Sequence, residues 1–191
     1  MNTSSMQKNG FTLPELVVTV GVLGILLSIA LPAFAAWQSR LDAERAMKQM
    51  AALLTISRAE SLNRQSEVVL CSTHDRVRCD KTATSEIFSF VDLNKNALRD
   101  AGEEILGFAA MQYSAGQLKL NPGGSASAFV FRSDTGKPRG SQGNITYCAH
   151  SGDMTLATSL IISKQGRARR SFDANGDGIE DRRSRNSPIS C

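Results

Sequence analysis

The chain is poor in the residues that build chemistry. Two histidines, His74 and His150, and four scattered cysteines are too little material for a histidine-rich metal centre or a zinc ribbon. Neither histidine has motif context, and no Cys/His pairing marks a nucleophile. No Ser/His/Asp set, phosphate-cradling glycine loop or catalytic metal-ligand spacing supports an enzyme. Aromatic residues make up 6%, which weakens stacking on bases or sugars as a binding mode. Fifteen glycines and five prolines are too few for a collagen-like or linker-dominated chain. Extreme charge is missing too: 22 bases face 18 acids, for a net +4 and a pI near 9.0. Anion binding then depends on where the bases sit, not on their sum. With 41% hydrophobic and 21% charged residues among 191, the chain is folded, and it holds one domain plus an appendage.

What it has in quantity is an apolar run. From Leu16 to Ala36 no residue is charged, and about 20 apolar residues in a helix cross a bilayer core. One reading is an ordinary secretory signal, with Lys8 as its basic end and Ala33-Phe34-Ala35 as an A-x-A cleavage site. The run exceeds the roughly 7–15 residues of such a signal, and Glu15 puts an acid where those peptides carry bases.

Gly10-Phe11-Thr12-Leu13-Pro14-Glu15-Leu16 resembles instead the class III signal of type IV pilins and type II secretion pseudopilins, G-F-T-L-I-E-L. The resemblance implies cleavage between Gly10 and Phe11 by a prepilin peptidase and N-methylation of Phe11. It also gives Glu15 an assembly role, pairing with the N-terminal amine of a neighbouring subunit. Pro14 stands where the family has an aliphatic residue. It falls in the first helical turn, where a missing N–H is tolerated. Pro32 matches a helix-kinking proline common in pilins.

After Trp37 the pattern turns amphipathic. Leu41, Met47, Met50, Ala51, Leu54 and Leu62 recur at three- and four-residue steps, with Arg40, Glu44, Arg45 and Lys48 between them. This predicts one helix from about Phe11 to Asn63. Its end, Ser57-Arg58-Ala59-Glu60-Ser61-Leu62-Asn63-Arg64, followed by Val68-Val69-Leu70-Cys71, resembles a block of the GspH/FimT branch of pseudopilins. Strands are predicted at 67–72, 86–92, 105–113, 117–120, 128–133, 145–149 and 156–164, separated by turn residues such as Asn121-Pro122-Gly123-Gly124. The fold class is α+β. A long N-terminal helix, membrane-spanning in its first half, packs on an antiparallel β-sandwich or curled sheet. The expected division is a leader (1–10), a transmembrane assembly helix (11–37), a soluble domain (38–163) and a basic C-terminal segment (164–191).

An exported domain meets an oxidising compartment, so four cysteines predict two disulfides, for which three connectivities are available. Cys71 and Cys79 flank a short polar loop. Cys148 and the terminal Cys191 would tie down a segment with little apolar content. The expectation is therefore Cys71–Cys79 and Cys148–Cys191.

Two acidic loops have calcium-like spacing. Asp92, Asn94, Asn96, Asp100 and Glu103 take ligand offsets, but Ala97 occupies the position where the sharp turn needs glycine. Asp173, Asn175, Asp177 and Asp181, with Gly178, form the second candidate, although Ser184 replaces the twelfth-position acid. The alternative for both is a hairpin loop built from Asx turns, and no cofactor is otherwise expected. Residues 164–191 hold seven bases against four acids, whereas 38–163 hold fourteen against thirteen. Within that basic segment Gly166-Arg167-Ala168-Arg169 resembles the G-R-x-R motif through which FimT-like minor pilins bind DNA. Lys164, Arg167, Arg169 and Arg170 are the corresponding candidates for phosphate contact with double-stranded DNA.

The expected function is a minor pilin or pseudopilin in a type IV pilus or type II secretion pseudopilus tip. Its partners would be other minor pilins, the prepilin peptidase and the inner membrane, with a periplasmic C-terminal domain. The alternatives are a DNA-binding minor pilin for uptake and, in another class, a secreted enzyme.

Overall fold

The computed structural model describes residues 12–110, 116–140, 142–182 and 187–191. Gly10 and Phe11 lie outside the described residues. The chain divides into two units, Met1–Gln38 and Ser39–Cys191. One helix, α1, runs over Leu13–Asn63 and so contributes to both.

The Leu16 N–H donates to the Thr12 carbonyl at 3.1 Å, which makes Thr12 the cap residue. Pro14 is then the second helical residue, where the amide it lacks would have had no partner inside the helix. Glu15 lies in the same first turn. Through the apolar run every residue of this first unit is exposed: Leu16, Val18, Ile25 and Leu31 each keep about three-fifths of their surface. Pro32 sits inside the helix. This helix has the length and composition to cross a membrane.

In the second unit α1 buries Ala43, Ala46, Met47, Met50, Leu53, Leu54, Ser57 and Ser61, a stripe at three- and four-residue steps. The stripe is richer in small residues than the apolar periodicity predicts, and Leu62 is 41% exposed. Small side chains let the helix approach the sheet closely enough for the Ser57 and Ser89 hydroxyls to meet at 2.7 Å in the core. Past the helix end, Arg64 reaches Glu60 at 2.6 Å and Glu104 at 2.7 Å.

Among the described residues eight strands form two antiparallel four-stranded sheets. They are β1 (Glu67–Ser72), β2 (Glu86–Asp92), β3 (Ile105–Ala110), β4 (Gly116–Asn121), β5 (Ala128–Phe131), β6 (Gly143–Ala149), β7 (Thr158–Ile162) and β8 (Ala168–Arg170). The first sheet has the order β3-β2-β1-β5 and the second β4-β6-β7-β8. The main core joins the stripe of α1 to the inward residues of both sheets, among them Val68, Leu70, Phe129, Phe131, Ile145, Tyr147, Leu160 and Ile162. A second cluster (Val69, Cys71, Phe88, Phe90 and Ala128) lies on the other face of the first sheet, where the Phe88 and Phe90 rings stack at 5.1 Å. Buried on both faces, β1 reads as an unbroken apolar run.

Two differences from the sequence expectation matter for function. The predicted 156–164 strand is shorter, because a 3-10 turn over Met154–Leu156, capped by the Asp153 carboxylate on the Thr155 amide, occupies its start. The basic segment, in turn, contributes β8 to the second sheet, with Arg169 opposite Ile161 and Arg170 opposite Leu160.

Candidate functional site

The basic segment enters the sheet through a hairpin. The Gly166 amide donates to the Ser163 carbonyl at 2.8 Å, and the Ser163 amide to the Arg167 carbonyl at 2.9 Å. Gly166 has φ +77°, the left-handed position of a three-residue hairpin loop. Lys164 lies in this loop and is exposed.

Strand alternation then separates the candidate bases. Leu160 and Ile162 point into the core, so Ile161 faces outward, and Arg169 and Arg167 share its side. Gln142, Asn144, Ile161, Ser163, Arg167 and Arg169 line two adjoining depressions of about 580 and 510 Å³ on this outer face. Arg182, Ser187 and Pro188, from the chain beyond β8, line the larger one. Among the described residues none that lines either depression is acidic. Among the described residues Lys164 and Arg167 enter no ion pair.

Arg170 is on the opposite face. Its Nε donates to Thr158 Oγ1 at 3.2 Å, and that hydroxyl donates to Glu180 Oε2 at 2.8 Å. Ser171 also donates to Glu180 Oε2, at 2.5 Å. The pocket there has two acids, Glu44 and Glu180, beside two bases, Arg40 and Arg170. The structure thus groups Arg167 with Arg169, sets Arg170 apart, and brings in Arg182, which sequence reasoning passed over. Period-two alternation through 167, 169 and 171 was the available signal for the split. Nothing local marks Arg182.

Both disulfides join the expected partners: Cys71–Cys79 with Cα atoms 5.4 Å apart, and Cys148–Cys191 at 5.7 Å. The first closes a loop whose Val77 carbonyl accepts from the Arg99 amide, so the 72–79 loop braces the 93–104 loop. The second pins the end of the chain to β6.

The acidic loops use their own oxygens. Asp92 accepts from the Asn96 and Ala97 amides, Asp100 from the Asn94 and Asn96 side chains, and Glu103 from the Leu93 and Asp100 amides. Ala97 has φ +59°, the left-handed turn where glycine is favoured. In the second loop Asp173 accepts from the Gly176 amide at 2.7 Å and the Gly178 amide at 2.9 Å. The Gly178 amide first, then that of Gly176, holds its carboxyl below the usual carboxylate range. Asn175 Oδ1 accepts from the Asp177 amide, and Asp181 Oδ2 from the Ala174 amide. Among the described residues no three His, Cys, Asp or Glu side chains converge as a metal-ligand group.

Comparison with known proteins settles the family. The family described as Type II transport protein GspH matches residues 46–178. The chain belongs to the GspH family. The prokaryotic N-terminal methylation motif matches residues 5–31, which include Gly10, Phe11 and Glu15. A pilin-like protein, PilA1 of Thermus thermophilus, is 32% identical over 172 residues, covering 86% of this chain and 99% of that protein. Two solved structures share the fold. The type IV minor pilin FimU of Pseudomonas aeruginosa has a TM-score of 0.51 at 13% identity, over 70% of this chain and 90% of that one. The minor pseudopilin EpsH from the type 2 secretion system of Vibrio cholerae has a TM-score of 0.50 at 9% identity, over 68% and 95%. This GspH-family chain is a minor pilin or pseudopilin, a structural component with a helix long and apolar enough to cross a membrane.

Proposed function

We propose that this GspH-family protein is made as a precursor, cut between Gly10 and Phe11 by a prepilin peptidase and methylated on the Phe11 amine. It is held in the inner membrane by the first part of α1, with its second unit in the periplasm. From there it enters the tip of a pilus or secretion pseudopilus beside other minor pilins. The observation that carries this reading is a helix whose uncharged run is exposed along its length and whose first turn bears a lone carboxylate, Glu15. A bare carboxylate in a bilayer costs about 2.5–3.5 kcal/mol at the helix centre, so it takes a cationic partner. The new N-terminal amine of a neighbouring subunit supplies one.

The test separates processing from assembly. In cells containing the peptidase, Gly10→Val leaves the full-length precursor, whereas Glu15→Ala is cut normally and is depleted from filaments. Mass analysis of the mature chain finds Phe11 carrying one methyl group. A mature chain starting at Ala36 would instead mark an ordinary signal peptide.

A second reading, DNA binding during uptake, is favoured by one observation. Arg169 of β8 and Arg167, just before it, project to the same side into depressions that no acidic residue lines among the described residues. Guanidinium groups spaced along an extended strand suit the phosphates of duplex DNA, read without base specificity.

A further inference from the structure

The outer face of the second sheet is built from polar residues yet is largely covered. Thr146 and Ser159 are 2% and 0% exposed, and they satisfy each other at 3.1 Å, with Asn144 donating to Thr146 at 2.7 Å. The described residues after β8, 171–182 and 187–191, form a strap. Asp181 pairs back with Phe172 and forward with Pro188. The buried Asp181 carboxylate accepts from the Ser187 amide, and the Ile189 amide donates to the Glu180 carbonyl at 2.9 Å. Ile189 is buried, and Cys191 is bonded to Cys148 on β6, with the Lys119 ammonium on the Cys191 carbonyl.

This strap fixes Arg182 at the edge of the depression that adjoins Arg167 and Arg169. The Arg182 amide donates to the Ser187 carbonyl at 2.8 Å, and Arg169 Nη2 donates to the Arg182 carbonyl at 2.6 Å. Arg182 Nη2 reaches the Pro188 carbonyl and Ser190 Oγ, both at 3.3 Å. Among the described residues these contacts occupy one nitrogen of a five-donor fork, leaving Nε and Nη1 for a ligand.

We propose that Arg182 is the third cation of the groove, and that the strap pinned by Cys148–Cys191 sets the groove's affinity for the phosphate backbone of duplex DNA. The proposal rests on the reading of the Arg167/Arg169 face as a DNA surface. It adds a binding residue to that face and names the structure that holds it in place. Within the acidic loop Gly178 approaches Thr155, on the side of β8 that carries Arg170. Asp181, next to Arg182, is buried and accepts from the Ser187 and Ala174 amides.

The experiment titrates the full chain in detergent micelles with a fluorescent short duplex DNA at two salt concentrations. Each phosphate neutralised contributes a slope of about −0.9 in log K against log salt. Arg182→Gln therefore flattens the slope by about 0.9, and its loss of affinity is about 3.5-fold greater at 50 mM than at 200 mM salt. Cys191→Ser weakens binding in the same direction, while near-ultraviolet circular dichroism of the buried Tyr147 stays native. Lys48→Gln, which removes one exposed base from α1, binds like wild type. The proposal is overturned if Arg167→Gln/Arg169→Gln loses binding while Arg182→Gln and Cys191→Ser keep it, since β8 alone would then hold the DNA. It is also overturned if Lys48→Gln weakens binding as much as Arg182→Gln, because net charge would then explain both. Failure of the wild-type chain to bind at all removes the underlying DNA reading as well.

Discussion

Gly166 allows the hairpin argument to be tested quantitatively, because two separate demands fall on it. Its φ of +77° excludes an L side chain without strain, and a left-handed conformation costs an ordinary residue about 1–2 kcal/mol. A Cβ there would also stand 3.2 Å from the Gly136 carbonyl oxygen and 3.2 Å from Pro138 Cδ, so the loop after β5 must give way. Overpacking of this kind costs about 1–3 kcal/mol. Gly176, in the second acidic loop, isolates the first demand: its φ is +84° and nothing lies within 4 Å of the added carbon. Gly176→Ala should therefore cost about 1–2 kcal/mol and Gly166→Ala roughly 2–5 kcal/mol. For a chain of this length each kcal/mol lowers the melting temperature by about 2–4 °C. Thermal unfolding of the full chain in detergent, followed through the near-ultraviolet signal of the second unit, resolves the two. Equal melting temperatures for both variants would refute the close approach of hairpin and loop. Wild-type melting of both would refute the backbone argument too.

Two further outcomes follow from the same geometry. Chain entropy ranks the disulfides, since the pairs are separated by 8 and 43 residues; replacing Cys71 and Cys79 together by Ser should cost about 2.5 kcal/mol, and replacing Cys148 and Cys191 about 4 kcal/mol. Denaturant titration checks this order, and a larger loss from the shorter loop would show that strain or contacts outweigh chain entropy. Asp173 gives the pH dependence: its folded carboxyl is held low by the Gly178 and Gly176 amides, so its contribution is complete above the unfolded value of about 3.9 and is lost as pH falls through the lower folded value. The Gly176 and Gly178 amide resonances should therefore shift with a midpoint below about 3.9, and a midpoint at or above it would contradict those hydrogen bonds.

Much of the fold is readable from local pattern. The first two strands occupy the predicted residues, because turns bound each run and β-branched or aromatic residues fill it. Helix α1 is legible from its two-part character, an uncharged run followed by an amphipathic one. Its contact stripe is less so, since Ala43, Ala46, Ser57 and Ser61 are buried for their size and carry no hydrophobic signal. β8 escapes for the opposite reason: Ala168–Arg170 is exposed at every position, so no alternation of burial betrays a strand. Its pairing comes from the hairpin and from β7. The division of Arg167 and Arg169 from Arg170 follows once β8 is known to be a strand. Arg182, by contrast, comes to the groove through a buried aspartate, a returning chain and a disulfide, none of which is local.

That last dependence makes the covalent pin on residues 187–191 significant, because the strap is otherwise close to balance. Ordering the backbone of a residue costs about 1–2 kcal/mol, so fixing residues 187–191 costs roughly 5–10 kcal/mol. Ile189 is their one buried apolar side chain, and burying it returns about 1.5–3 kcal/mol. The Ser187 amide on Asp181, the Ile189 amide on Glu180 and the Ser187 carbonyl on Arg182 each add about 0.5–1.5 kcal/mol. The Pro188 carbonyl and Ser190 hydroxyl on Arg182, and the Cys191 carbonyl on Lys119, add as much again, so burial and hydrogen bonds together reach about 4.5–12 kcal/mol, which brackets the cost. The roughly 4 kcal/mol that chain entropy assigns to closing Cys148–Cys191 moves that near balance toward the ordered strap. A reduced strap would be marginal in place, and Arg182 would lose its fixed position beside Arg169 with it.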